Sequence, residues 1–319
     1  MNSDNEEELF EALYEDLRDD IEEFRPLLAH YTSIENLENI VRSSELWLSH
    51  PLVMNDSEEV TFGVSFGVEA FERNEKLADV LGFDNRRLQL LRGVREAAQH
   101  YYANDLFDTY VLCLSQHDPS DRDGRLSMWR GYGGRGSGAA IVFDTSKIEI
   151  NPASPLIIAK VEYATAAERL QWLDDLVSKI VEFMRGKILS DDDLAEIGKI
   201  AFERIKLAAI FSKHSGFSEE LEWRVVYMPE RDPEGLMKPY LHYHNSHRGF
   251  EPKLRLKVEP KNGVMSGEMS LEKLVDRIII GPSRVLPVTY GSIVRMLTQA
   301  GKPQLADRLM VSGIPFRGE

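Results

Sequence analysis

The sequence predicts an α+β fold: a mixed, mostly antiparallel sheet with a helical insertion. Three observations carry that expectation. Short β-branched and aromatic runs recur at 27–32, 46–48, 110–115, 139–143, 156–163, 222–228, 254–258 and 277–280. Helical periodicities fall between some of them, but in no strict strand–helix–strand alternation, which argues against a parallel α/β sheet. Two long helical patterns, 164–190 and 191–212, stand together as one block between strands. With 319 residues, 43% hydrophobic and 29% charged, the chain can bury a sizeable core without disulfide or metal staples. No sharp linker divides it. The expected organisation is an acidic helix over 1–25, then a single α+β domain over 26–319 with the helical insertion at about 164–214.

The elements follow in order. Residues 4–24 read as an amphipathic helix, with Phe10, Leu13, Tyr14, Leu17, Ile21 and Phe24 at three- and four-residue steps and acids on the other face. Pro26 ends it. The strand 27–32 leads into a helix begun by Ser33, with Leu37, Ile40 and Val41 on one side, and the strand 46–48 follows. Asp56 reads as the N-cap of a further helix, with Glu59 closing a capping box. A helix over 84–104 sets Leu88, Leu91, Val94 and Ala98 on one side. The strand 110–115 precedes a polar stretch and a short segment at 126–129. The glycine-rich 131–138 lacks Gly-Lys-Ser/Thr and does not place Gly-x-Gly-x-x-Gly between strand and helix, so it reads as a hairpin connection. Asp191, Asp192 and Asp193 read as the cap of the second long helix. A helix over 288–300 and an extended segment over 310–316 close the chain.

The formal net charge is −15, and it is uneven. Residues 1–24 hold eleven acids and one arginine, a charge of −10, which leaves −5 for the rest. A protein that coats nucleic acid or anionic lipid would be basic, because phosphate contacts supply most nonspecific affinity. A local groove for a nucleotide or nucleic-acid substrate stays compatible with a body of −5. The acidic helix 4–24 has two readings: a solvated helix docked on the domain, or a segment that binds a protein partner. The single cysteine, Cys113, cannot form an internal disulfide, the acidic N-terminus is unlike a leader, and no run approaches the roughly 20 apolar residues that span a bilayer. A cytoplasmic protein without membrane attachment is expected.

Four groups of residues could carry chemistry. His30-Tyr31-Thr32 sits at the end of the first strand, where side chains reach a cleft from a rigid base. Ser115 ends a strand and is followed by Arg125, Trp129 and Arg130; with no Gly-x-Ser-x-Gly elbow, serine hydrolysis is discounted. Trp129 and Tyr132 could stack on a planar ring or simply pack in the core. Glu222-Trp223-Arg224 opens a strand, and alternation puts Glu222 and Arg224 on one face and Trp223 and Val225 on the other. A carboxylate there is either catalytic or paired with an arginine in the sheet. His242 and His244, with His247 near, share a strand face, but no carboxylate or cysteine completes a familiar ligand set, and no metal is expected.

The ordered motifs resemble a family. Leu28-Ala29-His30-Tyr31-Thr32, Asn36-Leu37 with Ile40, Leu46-Trp47-Leu48, Asn55-Asp56-x-x-Glu59, Cys113-Leu114-Ser115, Met128-Trp129, the strand 138–144, Glu222-Trp223-Arg224 and the closing Ser312-Gly313-Ile314-Pro315-Phe316-Arg317 resemble a bacterial domain of unknown function, number twenty-nine seventy-one. The likeness covers roughly 27–317. More distantly, the His-x-Thr strand end, the Asn-Leu-x-x-Ile helix and the second strand resemble the opening of ADP-ribosyltransferases, including DNA-modifying toxins. That resemblance implies NAD as cofactor, His30 holding a ribose, Ser115 or a neighbour flanking the nicotinamide, and Glu222 polarising the ribose hydroxyl. Arg125 or Arg130 would then grip the pyrophosphate, with Tyr31, Thr32, Trp129 and Arg224 lining the site. The functional expectation is an ADP-ribosyltransferase-like toxin or phage-defence effector acting on nucleic acid or protein. Two alternatives stand beside it: a non-catalytic sensor or binding module, and a metal-dependent nuclease built from Asp56, Glu59, Glu222 and the histidines.

Overall fold

Twelve strands and eleven helices make up the described chain. The strands are β1 (Leu27–Ser33), β2 (Glu45–Ser49), β3 (Tyr110–His117), β4 (Gly138–Asp144), β5 (Leu156–Lys160), β6 (Glu162–Ala164), β7 (Ser212–His214), β8 (Glu222–Tyr227), β9 (Leu241–Ser246), β10 (Gly249–Lys257), β11 (Val275–Ile280) and β12 (Leu309–Val311). The helices are α1 (Ser3–Tyr14), α2 (Asp20–Phe24), α3 (Ile34–Ser43), α4 (Ser57–Arg73), α5 (Glu75–Leu81), α6 (Asn85–His100), α7 (Leu126–Tyr132), α8 (Ala166–Met184), α9 (Asp191–Ile210), α10 (Leu271–Leu274) and α11 (Leu286–Gln299). The structure is a computed structural model that describes all residues except 15–19, 54–56, 83–84, 134–137, 150, 152, 247–248, 266–267, 284–285 and 316–319. The expected capping box of Asp56 and Glu59 and half of the 131–138 connection, residues 134–137, lie outside the described residues and side chains; residues 131–132 end α7. Among the described residues, no helix is long and apolar enough to cross a membrane.

The chain divides into two compact units. One comprises 20–50, 110–160 and 218–319, and is built on a ten-stranded sheet. Its strand order is β12-β11-β4-β1-β3-β2-β10-β9, with β8 and β5 branching from β3. Every pairing is antiparallel except β11 with β12, which makes the class α+β as the sequence implied. β4 can sit between β1 and β11 because Gly138-Ala139-Ala140-Ile141-Val142-Phe143 is small or apolar throughout and buried on both faces. α3 starts where Ser33 caps it, the Ser33 hydroxyl accepting from the Asn36 N–H at 3.1 Å, and it ends at Ser44 with φ 56°. Its Leu37, Ile40 and Val41 join a core with Leu28, Leu114, Ile141, Trp223 and Ile278. The other face of the sheet carries a smaller cluster of Ala29, Tyr31, Met128, Trp129, Ala140, Val142 and Ile279. Gly124 is required beside it: its φ is +71°, and a Cβ would lie 2.9 Å from the Tyr31 hydroxyl and 3.0 Å from the Trp129 ring.

The second unit comprises 1–19, 51–109 and 161–217. The expected helical block is thus part of a helical unit that also takes in α1, α4, α5 and α6. α6 and α9 touch backbone to backbone through two glycines. A Cβ on Gly93 would lie 1.9 Å from the Ala195 carbonyl oxygen, and one on Gly198 would lie 2.1 Å from that of Leu90. Thr165 with Glu168 forms the capping box of α8. α9 is capped by Ser190, with Asp193 closing the box, which corrects the reading of the three aspartates as the cap: Ser190 has the extended backbone that the N-cap position needs. The expected strand 156–163 breaks at the buried Val161, and β6 pairs in parallel with β7 instead. On α6 the buried side is Leu90, Leu91, Val94 and Ala98, and Leu88 is exposed. Of the stripe expected over 4–24, Leu13 and Ile21 are buried while Phe10 and Phe24 are exposed; Leu9 carries the packing instead.

Candidate functional site

The sheet brings three widely separated residues to neighbouring strands. In register, Ala29 of β1 lies opposite Ser115 of β3, and Ser115 lies opposite Glu222 of β8. His30 is one residue further along β1, opposite Ile141 of β4. Residues that face each other across a ladder share a face, and chain neighbours do not. Ser115, Glu222 and Arg224 therefore lie on the face of Ala29 and Tyr31. His30 lies on the other face, with Leu28, Ile141 and Trp223. The structure does not bring His30 and Glu222 to one side of the sheet.

β3 explains where the His30 ring goes. β1 pairs with β3 only at 115–117, and β2 pairs with it at Val111. Between these, among the described residues, Leu112, Cys113 and Leu114 pair only with β8. The ring of His30 donates to the Cys113 carbonyl in this stretch of β3. Burial pushes its pKa below the usual histidine value, so the neutral ring is favoured. Thr32 is buried beside it, its hydroxyl accepting from Asn36 Nδ2 at 3.0 Å.

On the opposite face the polar groups are held by one another. Glu222 Oε1 accepts from Arg224 Nε at 2.7 Å, with each side chain only 3–4% exposed. The Ser115 hydroxyl is buried and donates to the Glu220 carbonyl at 2.6 Å, tying the end of β3 to the segment before β8. Arg125 donates to the carbonyls of Glu219 at 2.9 Å and Gln116 at 3.0 Å, tying the loop before α7 to the end of β3. The Arg125 N–H also donates to the Tyr31 hydroxyl at 3.0 Å. Tyr31 meets Trp129 edge-on at 4.8 Å, and burial raises its pKa. Trp129 Nε1 donates to the Asp123 carbonyl at 2.9 Å, which fixes its ring in the core. Arg130 is exposed on α7.

Several contributors to this region carried no signal in the sequence. Glu220 holds Ser115 through its carbonyl and accepts from the Tyr132 hydroxyl at 3.3 Å. Asp121 organises the loop, accepting from the N–H groups of Asp123 and Gly124. Arg277 of β11 reaches across to the carbonyls of Pro119 and Asp121. A shallow, open cavity of about 530 Å³ lies alongside, with Arg122, Arg277 and Arg308 among its walls. The arginines beside it are thus not Arg125 or Arg130. These groups come from distant segments with no common motif. Among the described residues, no three His, Cys, Asp or Glu side chains are placed to hold a metal ion. His242 lies 3.2 Å from Arg255 Nη2, His244 packs edge-on against Trp47, and His247 is outside the described residues.

Residues 128–225 match a family model described as a protein of unknown function, DUF2971. The matched stretch runs from Met128-Trp129 through β4, β5 and the two long helices to Glu222-Trp223-Arg224 in β8. It is shorter than the 27–317 span of the sequence resemblance, and the description carries no activity. No curated protein and no solved structure matches the chain.

Proposed function

We propose that the chain is a non-catalytic binding or sensing module, in which Glu222 stabilises the sheet and takes no part in bond breaking. The observation that supports this reading is the state of the carboxylate. It is buried, bonded to Arg224, and on the face of the sheet opposite His30. A carboxylate that stabilises a cationic ribose must face the reacting atoms, and the groups that position the substrate must share its cleft. The test is NAD consumption, transfer of labelled ADP-ribose to protein and nucleic acid, and the thermal shift with NAD, each for the wild type and Glu222→Gln. A binding module turns over no NAD in either form. Turnover by the wild type that is lost in Glu222→Gln would overturn the reading.

One observation favours a second reading, an NAD-dependent ADP-ribosyltransferase of the toxin or phage-defence kind, acting on nucleic acid or protein. His30, Ser115 and Glu222 are far apart in sequence yet lie on three adjacent strands, within one register step of each other. For that chemistry the Glu222–Arg224 pair would have to open, freeing the carboxylate for the ribose and the guanidinium for a phosphate.

A further inference from the structure

The helical unit holds a cavity of about 720 Å³ between α4, α8, α9 and β7, a volume that suits a small organic ligand. Its walls are mostly apolar, with Phe66, Trp172 and Ile205 prominent. Gly67 is explained by packing, since a Cβ there would come within 2.5 Å of Ile205 Cγ2. Trp172 is steadied by the Arg204 guanidinium, 4.8 Å from the ring centre. Arg169 has no such explanation. It lies in the first turn of α8 on the cavity wall, and its Nε and Nη2 atoms are buried with no hydrogen-bond acceptor among the described residues. Buried donors are almost always satisfied, and a guanidinium presents Nε and Nη2 as a fork that fits the two oxygens of a carboxylate or phosphate. The α8 N-terminus adds positive potential on the same side.

We propose that this cavity binds a small amphipathic anion, its carboxylate or phosphate accepted by Arg169 and its apolar body lying against Phe66 and Trp172. The cavity lies wholly within the helical unit, so the proposal stands under either reading of Glu222.

The test is calorimetric titration of the full chain with octanoate, octyl phosphate and, as the neutral control, 1-octanol. Saturable one-to-one binding of at least one anion is expected, at least tenfold tighter than the alcohol. The two anions separate a carboxylate from a phosphate ligand. Arg169→Met should weaken the anion at least tenfold while leaving the melting temperature unchanged or higher. Ala208→Phe, which fills the cavity from α9, should abolish binding with Arg169 intact. No saturable binding of either anion, equal affinity for anion and alcohol, or unchanged affinity in Arg169→Met would each overturn the proposal. So would a fall in the stability of Arg169→Met, because the guanidinium would then already have a structural partner.

Discussion

Replacing Glu222 by glutamine separates the two readings of the sheet unit through stability alone. The wild-type carboxylate is bonded to Arg224 at 2.7 Å, with both side chains 3–4% exposed. Removing one partner of a buried pair leaves an uncompensated charge and costs about 3–5 kcal/mol. The glutamine amide oxygen can still accept from Arg224 Nε, so Glu222→Gln belongs at the lower end, about 3 kcal/mol, and Glu222→Leu nearer 5. For a unit of this size about 3 kcal/mol corresponds to a fall of about 6–12 °C in the melting temperature. Glu222→Leu combined with Arg224→Met removes both charges and should recover most of the loss. The assay is urea unfolding followed by tryptophan emission, with Trp223 buried between the two residues in sequence. A carboxylate kept for catalysis behaves differently: active-site groups are commonly held at a cost to stability, and their replacement leaves it unchanged or raises it. Glu222→Gln within about 0.5 kcal/mol of wild type, or a double variant no more stable than the sum of the singles predicts, would refute the structural role.

Three further predictions test the scaffold. Gly198→Ala pushes a Cβ to 2.1 Å from the Leu90 carbonyl oxygen, so the helical unit should lose about 3 kcal/mol or more in urea unfolding read by circular dichroism. Ser33→Ala removes the N-cap acceptor of α3 and should cost the sheet unit about 1 kcal/mol by the same method. His30 is held below the usual histidine pKa by burial, so in mildly acidic solution the unfolded chain binds a proton that the folded one resists. The contribution of these histidines to stability should be complete above about pH 6.5 and fall as the pH drops below that value; His30→Gln should flatten the part of this slope that His117, also depressed by burial, does not carry.

Much of the local structure was legible because it is encoded locally. Ser33 begins α3 as expected and caps it, and the alternation in Glu222-Trp223-Arg224 put the acid and the arginine on one face, where they pair. The plainer reading of Glu222, an ion pair inside the sheet, was visible from the same three residues. What could not be read is set by partners distant in sequence. Whether His30 and Glu222 share a face depends on the β1–β3 register, which meets at Ala29 and Ser115 and is not marked in either strand. The joining of α1 and α4–α6 with the 164–214 block rests on contacts such as Gly93 against Ala195, and an isolated glycine in a helical pattern does not say which helix comes near. Arg169 had no motif around it; only the cavity draws attention to its Nε and Nη2, which have no acceptor among the described residues.

The acidic segment at the start of the chain needs a different experiment from the truncation that its composition invites. Its −10 charge suggests a detachable arm, yet its apolar residues are divided between two cores. Leu9 and Leu13 of α1 are buried in the helical unit, where the Leu13 carbonyl accepts from Arg204 Nε at 2.9 Å. Ile21 of α2 is buried in the sheet unit. Burying an aliphatic side chain contributes about 1.5–3 kcal/mol, so deleting 1–24 would remove several kcal/mol from two cores at once. Loss of a partner after that deletion would report unfolding as readily as recognition. The exposed acids of the segment include Glu6, Glu7 and Glu11 on α1 and Glu22 and Glu23 on α2. Changing these to glutamine keeps Leu9, Leu13 and Ile21 in place, so a change in association with unchanged unfolding can be assigned to the acidic face itself.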